Sequence, residues 1–296
     1  MDSTKTAVLF NLGAINLRRG NYIKAEVFYK KIIEKDTGNF MVYKQLAKIS
    51  FEKGEQAQTM AYLSKANQIN PADPDVASDL SDMLLIIKKY DLAEKVLGQA
   101  IINDPENIEL LYSLVKLCSM ENKFGAAKET CLTLIKLGDE SAFVLTKLGL
   151  AYYNLKEYEC AVAALLAIPA QYQGETSYYI TGMAYKGLND QSKTIEFMQK
   201  AIDAGISPNI ADYYGEIAAS EEKLKKNKVA ATAYQKALEF NEDPTILYLL
   251  ANLYDTRLKD KKKAIFYYKK YIVSNPSSKK QTYIAYSKSR IEELAK

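Results

Sequence analysis

Residues 40–73 read FMVYKQLAKISFEKGEQAQTMAYLSKANQINPAD. In the first half, Tyr43, Leu46, Ala47 and Ile49 recur at the three- and four-residue spacing of one helix face. Gly54 follows, a residue free to take positive φ and so to stop that helix. In the second half, Ala57, Met60, Ala61, Leu63 and Ala66 line one face of a second helix. Asn70-Pro71 ends it, because proline cannot continue a helix and restricts the residue before it. The stretch therefore reads as a helix–turn–helix unit of 34 residues.

The same marks recur on both sides at a nearly constant step. Leu12-Gly13, Leu46-Ala47, Leu80-Ser81, Leu114-Val115 and Leu148-Gly149 stand 34 residues apart, and Gly182, Gly215 and Leu250-Ala251 continue the series at steps of 33, 33 and 36. Ala25, Ala93, Ala127, Ala161, Ala230 and Ala264 keep pace in the second halves, and Pro71, Pro105 and Pro276 close three units. Small residues at 13, 47, 81, 149, 182, 215 and 251 are expected to let paired helices approach closely, with Val115 the bulky exception. Gly20, Asn122 and Asn189 take the place of Gly54.

These residues resemble the tetratricopeptide repeat: a large residue, Leu-Gly and an aromatic on the first helix, then Ala, an aromatic and Ala on the second, with Pro at the close. Leu9, Leu12, Gly13, Ala25 and Tyr29 carry the pattern in the first unit, and Leu145, Leu148, Gly149, Tyr152 and Ala161 carry it in the fifth. The resemblance implies an all-α fold, a right-handed superhelical α-solenoid of antiparallel helix pairs. It is expected to form one domain over 1–296, with repeats near 6–39, 40–73, 74–107, 108–141, 142–174, 175–208, 209–243 and 244–277 and a capping helix at 278–295.

Three departures are expected to perturb turns. Unit seven carries about three extra residues near Glu221–Asn227, unit eight about one near Arg257–Lys262, and unit five is one short through Ile168-Pro169-Ala170. Tyr271 stands where the family prefers Ala, so the last pair is expected to pack differently. Tyr283, Ile284, Ile291 and Leu294 form the apolar side that a capping helix needs. The N-terminal end shows no such cap. Asp2 or Ser3 is the expected N-cap of the first helix, with either further residues upstream or a partner, including a second copy, covering that end.

In the family the first helices line a concave groove suited to an extended peptide or a partner helix. Carried over by family position, the groove set is Lys44, Lys48, Asp79, Asp82, Tyr112, Tyr153, Tyr179, Asp212, Tyr213, Glu216, Tyr248 and Asn252. Five of these are tyrosines, which give large contact area with a polar tip. With 23 Tyr in the chain, many others fill inter-helix contacts. Asp79 and Asp82 give an acidic patch suited to a basic partner, whereas Asp73-Pro74-Asp75 is a helix start with no EF-hand spacing. The Lys/Asn and Lys/Arg set by which some family members clamp a peptide carboxylate is missing: Lys44 is followed one turn later by Lys48, and unit three is acidic.

Composition narrows the functional classes. The 296 residues contain no His, no Trp and three Cys. That excludes a Ser-His-Asp or Cys-His pair, a His-ligated metal and a four-thiolate zinc site. Cys118, Cys131 and Cys160 are expected to be buried, reduced thiols. No cofactor is implied. The net charge of +4 is too mild to argue for nucleic acid. Twelve Lys/Arg against three acids after Asp255-Thr256 nonetheless leave residues 1–256 net acidic. Four Arg among 40 basic residues is a Lys bias associated with AT-rich bacterial genomes. No apolar run reaches the roughly 18 residues that span a bilayer, and no signal peptide precedes the first amphipathic stretch. The compartment stays open between cytoplasm and export after removal of a leader. The expectation is a noncatalytic interaction scaffold for a protein or peptide. A glycan- or RNA-binding helical repeat, or the regulatory subunit of an enzyme complex, are the alternatives.

Overall fold

The structure, a computed structural model, describes residues 3–205, 207–274, 276 and 280–296. Among these residues there are seventeen α-helices and no strand. The chain divides into two compact units, 1–140 and 141–296. The first holds α1 (Ser3–Arg18), α2 (Tyr22–Ile33), α3 (Phe40–Glu52), α4 (Gln56–Ile69), α5 (Pro74–Ile86), α6 (Tyr90–Asn103), α7 (Ile108–Met120) and α8 (Phe124–Lys136). The second holds α9 (Ala142–Asn154), α10 (Tyr158–Leu166), α11 (Glu175–Gly187), α12 (Gln191–Asp203), α13 (Ile210–Lys223), α14 (Asn227–Phe240), α15 (Pro244–Leu253), α16 (Lys261–Val273) and α17 (Gln281–Leu294). Within each unit an odd-numbered helix pairs with the next, and each pair packs on its neighbour, the nearest-neighbour architecture of a solenoid.

The turn inside every pair follows one plan, lengthened by one residue in the last pair. A residue in the left-handed region follows the first helix: Gly20, Gly54, Lys88, Asn122, Lys156, Asn189, Lys225 and Lys259. The next N–H then bonds a carbonyl five residues back, Glu55 to Ser50 at 2.8 Å and Lys123 to Cys118 at 2.8 Å, which satisfies carbonyls the helix end would leave open. The starts are capped too. Asn39, Asp73, Asn107, Ser141 and Asp243 each accept a backbone N–H from the first turn of the following helix. Of the two expected caps, Asp2 lies outside the described residues and Ser3 is the first residue of α1 itself.

Close approach follows the small residues. A Cβ on Gly13 would lie 2.8 Å from the Tyr29 ring, and one on Gly149 would lie 2.5 Å from Leu165 Cγ. Val115 faces, by register, Cys131, which stands where the other pairs carry Tyr29, Leu63, Leu97 or Leu165, so volume is exchanged across the pair.

Repeat seven is corrected. Seven residues separate the small position from the left-handed turn residue in Gly13/Gly20 and Ala47/Gly54, and the same interval back from Lys225 reaches Ala218, which is fully buried. Gly215 is not the packing glycine, for a Cβ there would meet only Ile246 at an ordinary 3.7 Å. The extra residues therefore lie before α13, after Asp203, and not near Glu221–Asn227. The extra residue of unit eight becomes a π-helical turn, Tyr254–Leu258, where the closing bond of the turn runs from Asp260 to Tyr254. The short unit five gives a nine-residue α10 followed by a 3-10 turn, Ala170–Tyr172. Tyr271 is buried where Ala was preferred. Cys118 and Cys131 are buried thiols, but Cys160 is exposed, contrary to the expectation from its neighbour Ala161.

Candidate functional site

In the first unit, α3 and α5 present side chains that packing does not use. With the start of α7 they border a cavity of about 790 Å³ lined by Lys44, Gln45, Lys48, Phe51, Ser78, Asp79, Asp82, Met83, Ile86 and Glu109 among others. A smaller apolar recess of about 340 Å³ adjoins it and shares Phe51, Met83 and Ile86. Lys44 is tied down: its Nζ donates to Asp73 at 3.0 and 3.1 Å and to Asp75 at 2.7 Å. Burial pulls the Lys44 pKa down, but the bonds to Asp75 and Asp73 prevail and hold it above its ordinary value. Lys48 is exposed. Asp82 receives the Lys116 ammonium at 2.6 Å on one oxygen, while its other oxygen is buried without a hydrogen-bond partner. Asp79 is reached by solvent yet flanked by protein. Burial, then the charges of Asp75 and Asp82, raise its pKa against the pull of Lys44. Tyr112 is half-buried, and its hydroxyl donates to Asp139.

In the second unit, Tyr153, Tyr179, Lys186, Asp212 and Glu216 converge on one side of α9, α11 and α13. Lys186 and Glu216 form an ion pair at 2.5 Å. Burial raises the Tyr179 hydroxyl pKa, and the neighbouring Tyr153, Glu216 and Asp212 raise it further. Tyr213 does not join that surface. The three-residue register change turns it inward to 3% exposure, its ring lies 5.2 Å from Tyr179, and its hydroxyl donates to Glu175. Burial, then that bond, push its pKa up to about 12. Hydrogen bonds from Ser207 and Tyr213 hold the Glu175 carboxyl below its usual range.

The capping helix claims the last candidates. Tyr248 lies against Tyr283 of α17 at 4.9 Å between centroids and against Tyr271 at 5.3 Å. Asn252 is half-buried and accepts the Thr256 hydroxyl at 3.4 Å. Asp255, turned inward by the π-helical turn, takes two bonds from the Arg290 guanidinium at 2.8 Å each and a longer one from the Tyr268 hydroxyl at 3.3 Å. Tyr248 is thus part of the packing that seats α17. Reading by family position found Lys48, Asp79 and Tyr179 but passed over Phe51 and Ile86. Phe51 and Ile86 sit at family positions twelve and thirteen and so carried a legible signal.

Among the described residues no group of three His, Cys, Asp or Glu converges to hold a metal ion, and no helix is long and apolar enough to cross a membrane.

Residues 244–278 match the family model described as a tetratricopeptide repeat. BBSome complex member BBS4 of Bos taurus is 20% identical over 205 residues, covering 68% of this chain but only 39% of that relative's length. Among solved structures, the C-terminal part of a tetratricopeptide-repeat protein from Cytophaga hutchinsonii superposes with a TM-score of 0.62 at 18% identity, covering 79% of this chain and 96% of the other. A tetratricopeptide-repeat protein from Parabacteroides merdae gives 0.57 at 13% identity over 85% of this chain and 99% of the other. YrrB, described as having an unusual peptide-binding site, gives 0.52 at 18% identity over 60% of this chain and 91% of its own. The tetratricopeptide-repeat match thus covers residues 244–278, and along the rest of the chain the likeness is one of fold.

Proposed function

We propose that this chain is a noncatalytic interaction scaffold that holds an extended segment or helix of a partner protein on the side chains of its first helices. The observation that carries the reading is what the first helices leave open: α3 and α5 border a polar cavity with an apolar wall, and α9, α11 and α13 bring Tyr153, Tyr179, Asp212 and Glu216 together. Tyrosines with half-buried rings and reachable hydroxyls suit protein recognition because they bring area at low entropy cost. The printed descriptions of BBS4 as a complex member and of YrrB as peptide-binding agree in kind.

The test is a pair of arrays overlaid with the full chain, one of immobilised dodecapeptides and one of glycans. Saturable retention on peptides, lowered by Tyr153→Ala with Tyr179→Ala, is expected. Retention on glycans alone would sink the reading.

A further inference from the structure

We propose that the cavity between α3 and α5 receives a basic side chain, Arg or Lys, of the bound segment, with an apolar neighbour seated beside it; this rests on the peptide-binding reading above. On α5, Asp75, Asp79 and Asp82 stand one turn apart on a single stripe. Asp75 has Lys44, and Asp82 has Lys116 on one oxygen. Asp79 has no ion pair among the described residues. Burial and the charges of Asp75 and Asp82 hold its carboxyl above the ordinary range and outweigh the pull of Lys44, which is paired with Asp73 and Asp75.

A second, independent observation points the same way. Ser78 lines the same cavity at 9% exposure, and its hydroxyl has no hydrogen-bond partner. Other helical hydroxyls turn back to the carbonyl four residues earlier, as Ser119 does to Val115 at 2.7 Å and Thr181 to Ser177 at 2.7 Å; Ser81 on α5 is also unpartnered, but of the two only Ser78 lines the cavity. The hydroxyl of Ser78 and the second oxygen of Asp82 are thus buried polar atoms without a partner, in residues that line the cavity, a state that costs the fold stability.

The ligand's chemistry follows from the balance of donors and acceptors. The exposed group is an acceptor, Asp79, and one oxygen of Asp82 and the Ser78 hydroxyl lie unpartnered beneath the surface of the same cavity. A guanidinium carries five N–H donors and an ammonium three, with no acceptor. A metal ion does not fit, since no three carboxylates converge among the described residues. The aliphatic stem of an Arg or Lys also matches the wall formed by Phe51, Met83 and Ile86, of which Phe51 and Ile86 are 70% and 75% exposed.

The experiment overlays the full chain on arrayed dodecapeptides that share Leu and Phe content and run from acidic to basic, followed by anisotropy with the strongest binder. Basic apolar peptides are expected to be retained, with retention weakened by salt. Asp79→Asn is expected to lower their affinity at least about tenfold while leaving the thermal midpoint equal or higher, because it relieves repulsion by Asp75 and Asp82. Asp79→Lys is expected to move preference toward acidic peptides. Equal retention of acidic peptides by the native chain, or unchanged affinity in Asp79→Asn, overturns this inference and leaves peptide binding standing. Retention of no peptide at any charge overturns the peptide-binding reading and this inference with it.

Discussion

Arg290→Met removes the guanidinium that seats the capping helix. Asp255, whose side chain is 3% exposed, would keep only the long bond from Tyr268 at 3.3 Å after losing two at 2.8 Å. Breaking a buried pair by deleting one member costs about 3–5 kcal/mol, because the remaining charge is stranded. Arg290 is itself 28% exposed, so water reaches part of the vacated space and the lower end, about 3 kcal/mol, is expected. The pH dependence has a defined sign. The bonds from Arg290 hold the Asp255 carboxyl below its usual range. A depressed folded-state pKa contributes stability that is complete above the unfolded value of about 3.9 and is lost as pH falls through the folded one. The gap between native and variant chains should therefore be full near pH 7 and shrink well below pH 4. Urea unfolding followed by circular dichroism at both pH values measures the gap, and amide exchange in α17 locates it. Asp255→Asn combined with Arg290→Met should cost less than Arg290→Met alone, since no charge is then stranded. A gap under about 1 kcal/mol at neutral pH, or one of equal size in acid, would refute the reasoning.

Three further outcomes follow. Gly149→Ala drives a Cβ to 2.5 Å from Leu165 Cγ and should destabilise by about 1–3 kcal/mol, whereas Gly215→Ala has only a 3.7 Å contact and should stabilise by up to about 1 kcal/mol, both read from urea melts. Lys156→Gly places glycine at φ 63° and should raise stability by about 1 kcal/mol, as should Lys88→Gly at φ 58°; a loss at both sites would contradict the turn geometry. Tyr248→Ala should loosen α17 and lower the thermal midpoint, because its ring touches Tyr283 and Tyr271, whereas Tyr153→Ala should lower peptide retention with a smaller change in midpoint.

The repeat was legible because packing at a helix crossing is demanding at fixed positions. Gly13, Gly149 and Gly182 sit where Tyr29, Leu165 and Met198 of the paired helix leave no room for a Cβ, so the 34-residue step survives in residue size. Turns were half legible. Gly20, Gly54, Asn122 and Asn189 announce a left-handed residue, but Lys88, Lys156, Lys225 and Lys259 have no preference for that conformation and are held in it by the bonds closing the turn. In repeat seven a plausible Gly215 hid the true packing residue, Ala218, and the same slip placed Tyr213 on the surface when it faces inward. The candidate surface was read by position, and position says nothing of partners. Lys44 matched its place but is bound to Asp73 and Asp75 at the start of α5, and Tyr248 matched its place but is occupied by α17. Which acids stay uncompensated, Asp79 rather than Asp75, depends on those pairings and emerges only from the folded arrangement.

The most direct test of the central claim places a photo-crosslinking residue at single positions and probes each with the best peptide from the array. Lys48, Lys147 and Tyr179 mark the first-helix surface, and Lys95, Glu129 and Lys228 on α6, α8 and α14 mark second helices. Crosslinks confined to the first set are the predicted result. Equal crosslinking from both sets, or crosslinking from the second set alone, would contradict the assignment of the binding surface.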